Sequence, residues 1–200
     1  MFTPRSETTR QFIIETTAGI FNRKGYAGTS LSDLTEATRL TKGSIYGNFD
    51  NKEDVALAAF DYNIACRTGI IQDALRDYSS SRDKLLAFIT IFGSAGSSAF
   101  PAGGCPLLNA GTEADDTHEP LRERVAEQLI LWKEDLVGII QQGMAANEFR
   151  ADTNASKLAL SIIALVEGGI LIGRSTRNPF YLDTILDTIR DLVKSIELTS

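Results

Sequence analysis

The sequence predicts an all-α protein of about nine helices, with a three-helix head over residues 1–50 and a helical body over residues 51–200. Three observations lead there. Apolar side chains recur at steps of three and four in segment after segment, which is the spacing of one face of a helix. Hydroxyl and amide side chains stand just ahead of those segments, where they satisfy N–H groups that a helix start leaves open. Glycine and proline punctuate the joints. With 43% apolar side chains in 200 residues, the chain can bury a substantial core, as one large domain or two small ones.

The first helix is expected from about Ser6 to Lys24, with Phe12, Ile13, Thr17, Ile20 and Phe21 as its apolar stripe and Gly25 as its stop. Ser30 with Asp33 three residues on resembles a capping box and opens a second helix, on which Leu31, Leu34 and Ala37 share a face. Thr41 caps a third, short helix that buries Ile45 and Phe49. Since Gly43, Ser44, Gly47 and Asn48 are poor helix formers, packing must hold it. Asp50-Asn51-Lys52-Glu53 restarts a helix that runs through Val55, Tyr62, Cys66 and Ile70 toward Tyr78.

Ser79-Ser80-Ser81 is a break, and Ser81 is expected to cap a helix carrying Leu85, Phe88, Ile89 and Phe92. Residues 94–106, rich in Gly, Ser and Pro, read as a loop-like insertion in the body. Pro120 fits the first turn of a long helix that carries Leu121, Val125, Leu129, Trp132, Leu136, Ile140 and Met144. Asp152-Thr153-Asn154 starts another, from about Ala155 to Arg174, which is apolar on more than one side and needs neighbours on more than one side. Ala164, Gly168, Gly169 and Gly173 allow close approach within it. Pro179 marks the break before the last helix, where Leu182, Ile185, Leu186, Ile189, Leu192, Val193 and Ile196 form a packing seam.

The second and third helices form a helix-turn-helix outline, and its exposed chemistry suits a duplex. Thr41, Ser44 and Tyr46 carry hydroxyls, Lys42 carries a cation, and Gly43 lets the first turn approach a surface closely. Phosphate contacts fix register, while side chains at the front of such a helix reach base edges in a major groove. Thr29 and Ser30 stand where a hydroxyl can cap the helix or touch phosphate, Asn48 follows the third helix, and Lys52 opens the fourth.

Taken in order, Gly25-Tyr26, Thr29-Ser30, Asp33-Leu34, Thr41-Lys42-Gly43-Ser44-Ile45-Tyr46, Phe49 and Asn51-Lys52-Glu53 resemble the signature of the TetR/AcrR family of bacterial transcriptional regulators. The likeness covers about fifty N-terminal residues. It implies a dimeric, all-helical regulator, most often a repressor, that releases a double-stranded operator when a small molecule fills the C-terminal domain. Cys105-Pro106-Leu107-Leu108-Asn109-Ala110 resembles a family segment beside the effector cavity. Two positions depart from the family pattern. Arg39 stands where the family commonly has Gly in the turn, so the turn must accept a non-Gly residue, and Gly47-Asn48 replace bulkier residues between Tyr46 and Phe49.

Charge agrees in sign and is weak in size. The chain has a net charge of −6, yet residues 1–50 carry six basic and five acidic side chains, so the acidity lies in the body. The absence of a leader-like opening and of a long uninterrupted apolar run points to a soluble, cytoplasmic protein without a membrane partner. The two cysteines, Cys66 and Cys105, are expected as reduced thiols.

No catalytic set, metal site or cofactor is expected, and the protein is not read as an enzyme. His118, in Asp-Asp-Thr-His-Glu, is a lone imidazole ahead of a helix, and a catalytic Cys105–His118 pair would lack an orienting group. A thiol switch at Cys105 is the stronger alternative. Tyr62, Phe88, Phe92, Cys105, Asn109, Trp132, Met144 and Glu167 are the candidates for an effector pocket, Glu167 because a carboxylate in an apolar helix needs a partner. The last two helices are expected to pair with a second copy about a two-fold axis, presenting two heads to a (pseudo)palindromic operator.

Overall fold

The computed structural model describes residues 5–93 and 101–198. Among them lie α1 (Arg5–Gly28), α2 (Leu31–Thr38), α3 (Lys42–Tyr46), α4 (Lys52–Leu75), α5 (Ser81–Phe92), α6 (Pro106–Ala114), α7 (Glu119–Ala145), α8 (Ala155–Ser175) and α9 (Pro179–Ile196). The fold is all-α, with one isolated antiparallel bridge between Phe149 and Glu197. Residues 94–100 of the expected Gly/Ser/Pro loop lie outside the described residues.

Several starts fall where their caps stand in the sequence. Ser30 closes a full capping box with Asp33, the Thr41 hydroxyl accepts from Ser44 N, and the Asn154 side chain accepts from Lys157 N. Two boundaries differ from expectation. Ser80, rather than Ser81, caps α5, leaving Ser81 buried in the first turn, where its N–H donates to Glu148. Pro179 is the first residue of α9, because its missing N–H is no loss there, and Asn178 is the cap.

The chain divides by packing into two compact units, residues 1–68 with 101–125, and residues 69–100 with 126–200. The first unit therefore holds α6 together with the head. Its core comprises Ile13, Ile14, Ala18, Phe21, Leu34, Ile45, Phe49, Val55, Ala56 and Ala59, which pack α1 to α4 together. Phe12 and Ala37, expected on the inner faces of α1 and α2, point outward instead; Ile14 and Ala18 take the buried positions on α1.

In the second unit α9 packs on α8 and α5, burying Leu85, Ile89, Ile162, Val166, Leu186, Ile189 and Val193. Close approach is built in at Gly169, where a Cβ would meet Leu182 Cδ1 at 2.8 Å. Gly168 and Ala164 lie on open faces and are no part of that contact.

Candidate nucleic-acid interface

The face expected to meet DNA is built by fixing three short segments to the first unit's core. α1 loses helical geometry at Gly25, which takes φ 74°, ψ 175°. There the Glu113 carboxylate of α6 accepts from Tyr26 N and Ala27 N, both at 2.8 Å, and a Cβ on Gly25 would come within 2.8 Å of its Cδ. Only glycine fits both the positive φ and the carboxylate. Asn22 donates to the carbonyls of Ala102 and Gly104, and Asn109 donates to those of Asn22 and Gly103, so the start of α6 is fastened to the same end of α1.

α2 follows from its capping box. Asp33 Oδ2 accepts from Ser30 N at 2.8 Å, while its other oxygen accepts from Lys24 Nζ at 2.6 Å. The Lys24 ammonium first, and the two Ser30 donors next, hold the Asp33 carboxyl down at about 2. At the far end the Thr38 hydroxyl donates to Leu34 O and accepts from Leu40 N, and Arg39 between them takes the left-handed φ of 57°. Arg39 thus supplies a left-handed turn that glycine would adopt without the steric cost.

α3 turns Ile45 wholly inward and leaves Thr41, Lys42 and Gly43 exposed, with Ser44 and Tyr46 half-buried. Lys42 Nζ lies 5.9 Å from the centre of the Tyr46 ring. Asn48 Nδ2 donates back to Ser44 O, so it secures the end of α3. Six expected residues, Ser30, Thr41, Lys42, Gly43, Ser44 and Tyr46, therefore stay open to solvent along α2, the turn and α3.

Two others do not. Thr29 is 1% exposed and its hydroxyl donates to Gly25 O at 2.6 Å, so the side chain is spent on ending α1. Lys52 donates to Tyr26 O at 2.8 Å and Thr29 O at 2.9 Å, with its ammonium 4.2 Å from the Tyr26 ring centre. Two of its ammonium N–H groups are thereby spent on the α1–α2 connection. Glu113 is the residue shaping this region that sequence reasoning missed; 87 positions separate it from Tyr26, and only a carboxylate near a helix end hints at it.

The effector candidates fall into both units. Phe88, Phe92 and Trp132 gather in the second, with centroids 5.0 Å apart for the two phenylalanines and 6.0 Å from each to the indole. Met144 and Glu167 are half-buried residues of that unit. Tyr62, Cys105 and Asn109 belong to the first, where Asn109 lines a cavity of about 40 Å³ with Phe21, Asn63 and Leu121. The Tyr62 phenol is pushed up from its ordinary value, chiefly by its hydrogen bond with Cys66.

Of the two thiols, Cys105, the one expected as the candidate switch, is the more buried. Cys105 is 4% exposed at the start of α6, whereas Cys66 is half-buried. His118 acts as the cap of α7: Nδ1 accepts from Leu121 N at 3.2 Å, the ring meets Tyr26 edge-on at 4.4 Å, and Nε2 lies 3.2 Å from Glu53. No group of three or more metal-binding side chains occurs among the described residues.

Comparison with known proteins covers nearly the whole chain. Residues 13–59 match the bacterial regulatory proteins of the tetR family, and residues 81–189 match the tetracyclin repressor-like C-terminal domain. A TetR-family transcriptional regulator from Cytophaga hutchinsonii, of known crystal structure, is 51% identical over all of both chains, with a TM-score of 0.96. One from Chloroflexus aurantiacus is 34% identical over 98% of this chain and 99% of its own, with a TM-score of 0.92. The HTH-type transcriptional repressor DhaR of a Mycobacterium species is 25% identical over 182 residues, 90% of this chain and 89% of DhaR.

Proposed function

The chain belongs to the TetR family and is a DNA-binding transcriptional regulator; on that premise we propose that it is a cytoplasmic, homodimeric repressor that leaves its operator when a small molecule binds. The observation that carries the reading is α3 itself. A five-residue helix of poor propensity is held by buried Ile45 and Phe49 while Thr41, Lys42 and Gly43 stay exposed, an arrangement whose purpose lies outside the molecule.

One such helix spans half a site, and a second about 34 Å away supplies the other half, which asks for a two-fold dimer and a (pseudo)palindrome. The pairing face is proposed on α8 and α9. Leu160 (53% exposed), Leu171 (52%) and Phe180 (68%) are uncovered there. α8 is long and apolar enough to cross a bilayer, yet only 28% of that stretch is buried within its own chain. A second copy is the cover that fits a soluble regulator.

In this reading residues 1–50 meet DNA and residues 51–200 dimerise and sense the effector. The apolar and aromatic side chains around Phe88, Phe92 and Trp132, with Met144 and Glu167, are the proposed pocket. The effector acts by binding more tightly to a body conformation that holds the heads at the wrong separation, with α4 as the connection. Selection of bound fragments from the source genome, followed by a salt titration and sedimentation of the complex, tests this. A symmetric site bound by two chains is expected; a monomer with no preference for any duplex ends the reading.

A further inference from the structure

The charges of the head can be sorted by what they already touch. Lys24 is held by Asp33 at 2.6 Å, Lys52 by two carbonyls, and Arg10 by Asp54 at 3.9 Å, with its guanidinium 4.5 Å from the Phe49 ring centre. Arg23 lies on α1 beside the loop before α6, where its Cγ stands 2.8 Å from where a Gly103 Cβ would be. Among the described residues neither Arg39 nor Lys42 forms an ion pair, and both are exposed. They flank the turn that leads into α3.

Arg39 is also where the backbone is least comfortable. Its φ of 57° suits Gly or Asn, and the turn around it is fixed by the Thr38 hydroxyl and by half-buried Leu40. Arg177 adopts the same conformation in the second unit, so backbone strain alone carries no meaning here. What sets Arg39 apart is the junction of strain, an unspent guanidinium and a rigid seat between the helix that crosses a duplex backbone and the helix that enters its groove.

We propose that Arg39 is a DNA-contacting residue that clamps a backbone phosphate beside the half-site. The guanidinium fork matches phosphate oxygens in a way an ammonium does not, and a phosphate at this turn lies where the backbone passes from α2 to α3. The proposal deepens the regulator reading and rests on it. It adds a positioning contact that compensates for the head's small charge surplus.

The test is a salt titration of full-length parent, Arg39→Gly and Arg39→Lys on the selected operator and on single-base variants of it, with thermal unfolding of each protein. Arg39→Gly is expected to unfold at or above the parent's temperature, because it relieves the left-handed strain. It is expected to bind every operator variant about tenfold or more weakly near 0.1 M salt, with the log–log salt slope reduced by about two for a dimer, one phosphate per subunit. Arg39→Lys should keep most of the slope. Equal affinity and slope for Arg39→Gly and parent overturns the assignment, as does a loss confined to particular base pairs. A parent that binds no duplex brings down the regulator reading itself, which is a distinct result.

Discussion

In the proposed regulator α3 and α9 each present a face to something beyond the chain, DNA for one and a second copy for the other, and they are stabilised in opposite ways. α3 is five residues long and owes its shape to its surroundings: the Thr41 cap, the Ile45 anchor and the Asn48 bond to Ser44 O. α9 is eighteen residues long, with Leu186, Ile189 and Val193 wholly buried in a regular seam and an apolar outer end at Phe180 and Tyr181. The lesson is where information can sit. The outer residues of α3 can change without touching what holds it, so sequence preference can diverge there. In α9 the inner and outer apolar faces share one element, so in the proposed dimer fold and assembly change together.

That contrast can be broken or sharpened by substitution, with protomer concentration held fixed because dimerisation shifts apparent stability. The largest effect is expected from Ile189→Ala, which opens a cavity at a fully buried site and should cost about 2–5 kcal/mol in urea unfolding. Lys52→Ala comes next. It strips a charged donor from the carbonyls of Tyr26 and Thr29 and should cost about 1–2 kcal/mol, discounted for partial exposure. DNA binding should fall with the stability of the head.

Ser30→Ala should cost about 1 kcal/mol by removing half of the capping box. It should also blunt an acid transition. Asp33 has a folded value of about 2 against an unfolded value near 4, so its contribution is complete above about pH 4 and is lost as pH falls toward 2. Unfolding followed between those pH values should show a shallower loss in the variant. The smallest effect on stability belongs to Lys42→Ala, within about 0.5 kcal/mol, while the salt slope of DNA binding should drop by about one per subunit. A Lys42 variant that unfolds early would erase the distinction between α3 and α9.

Local chemistry was legible in the sequence, and tertiary bookkeeping was not. Ser30 with Asp33, Thr41 and Asn154 announced their helices because a cap acts within three residues. The unusual backbone at Arg39 was legible too, since a turn that favours glycine left few conformations open. Lys52 and Thr29 were read as surface groups because nothing nearby in sequence tells them from one; the carbonyls that Lys52 serves lie 23 and 26 positions back. Phe88, Phe92 and Trp132 were legible as apolar residues of two separate helices, and only packing brings their rings together. Their separation by packing from Tyr62, Cys105 and Asn109 depends on where α6 lies, which no local pattern encodes.

The tie between Glu113 and the amides of Tyr26 and Ala27 sets a rule for anyone building hybrid regulators. A graft that joins one protein's first fifty residues to another's remainder cuts this link in two, leaving two amides without their acceptor and a glycine shaped for a carboxylate that is gone. Exchanging α6 together with the head keeps donor and acceptor from the same parent. Hybrids spliced that way are the ones expected to retain the donor's operator preference.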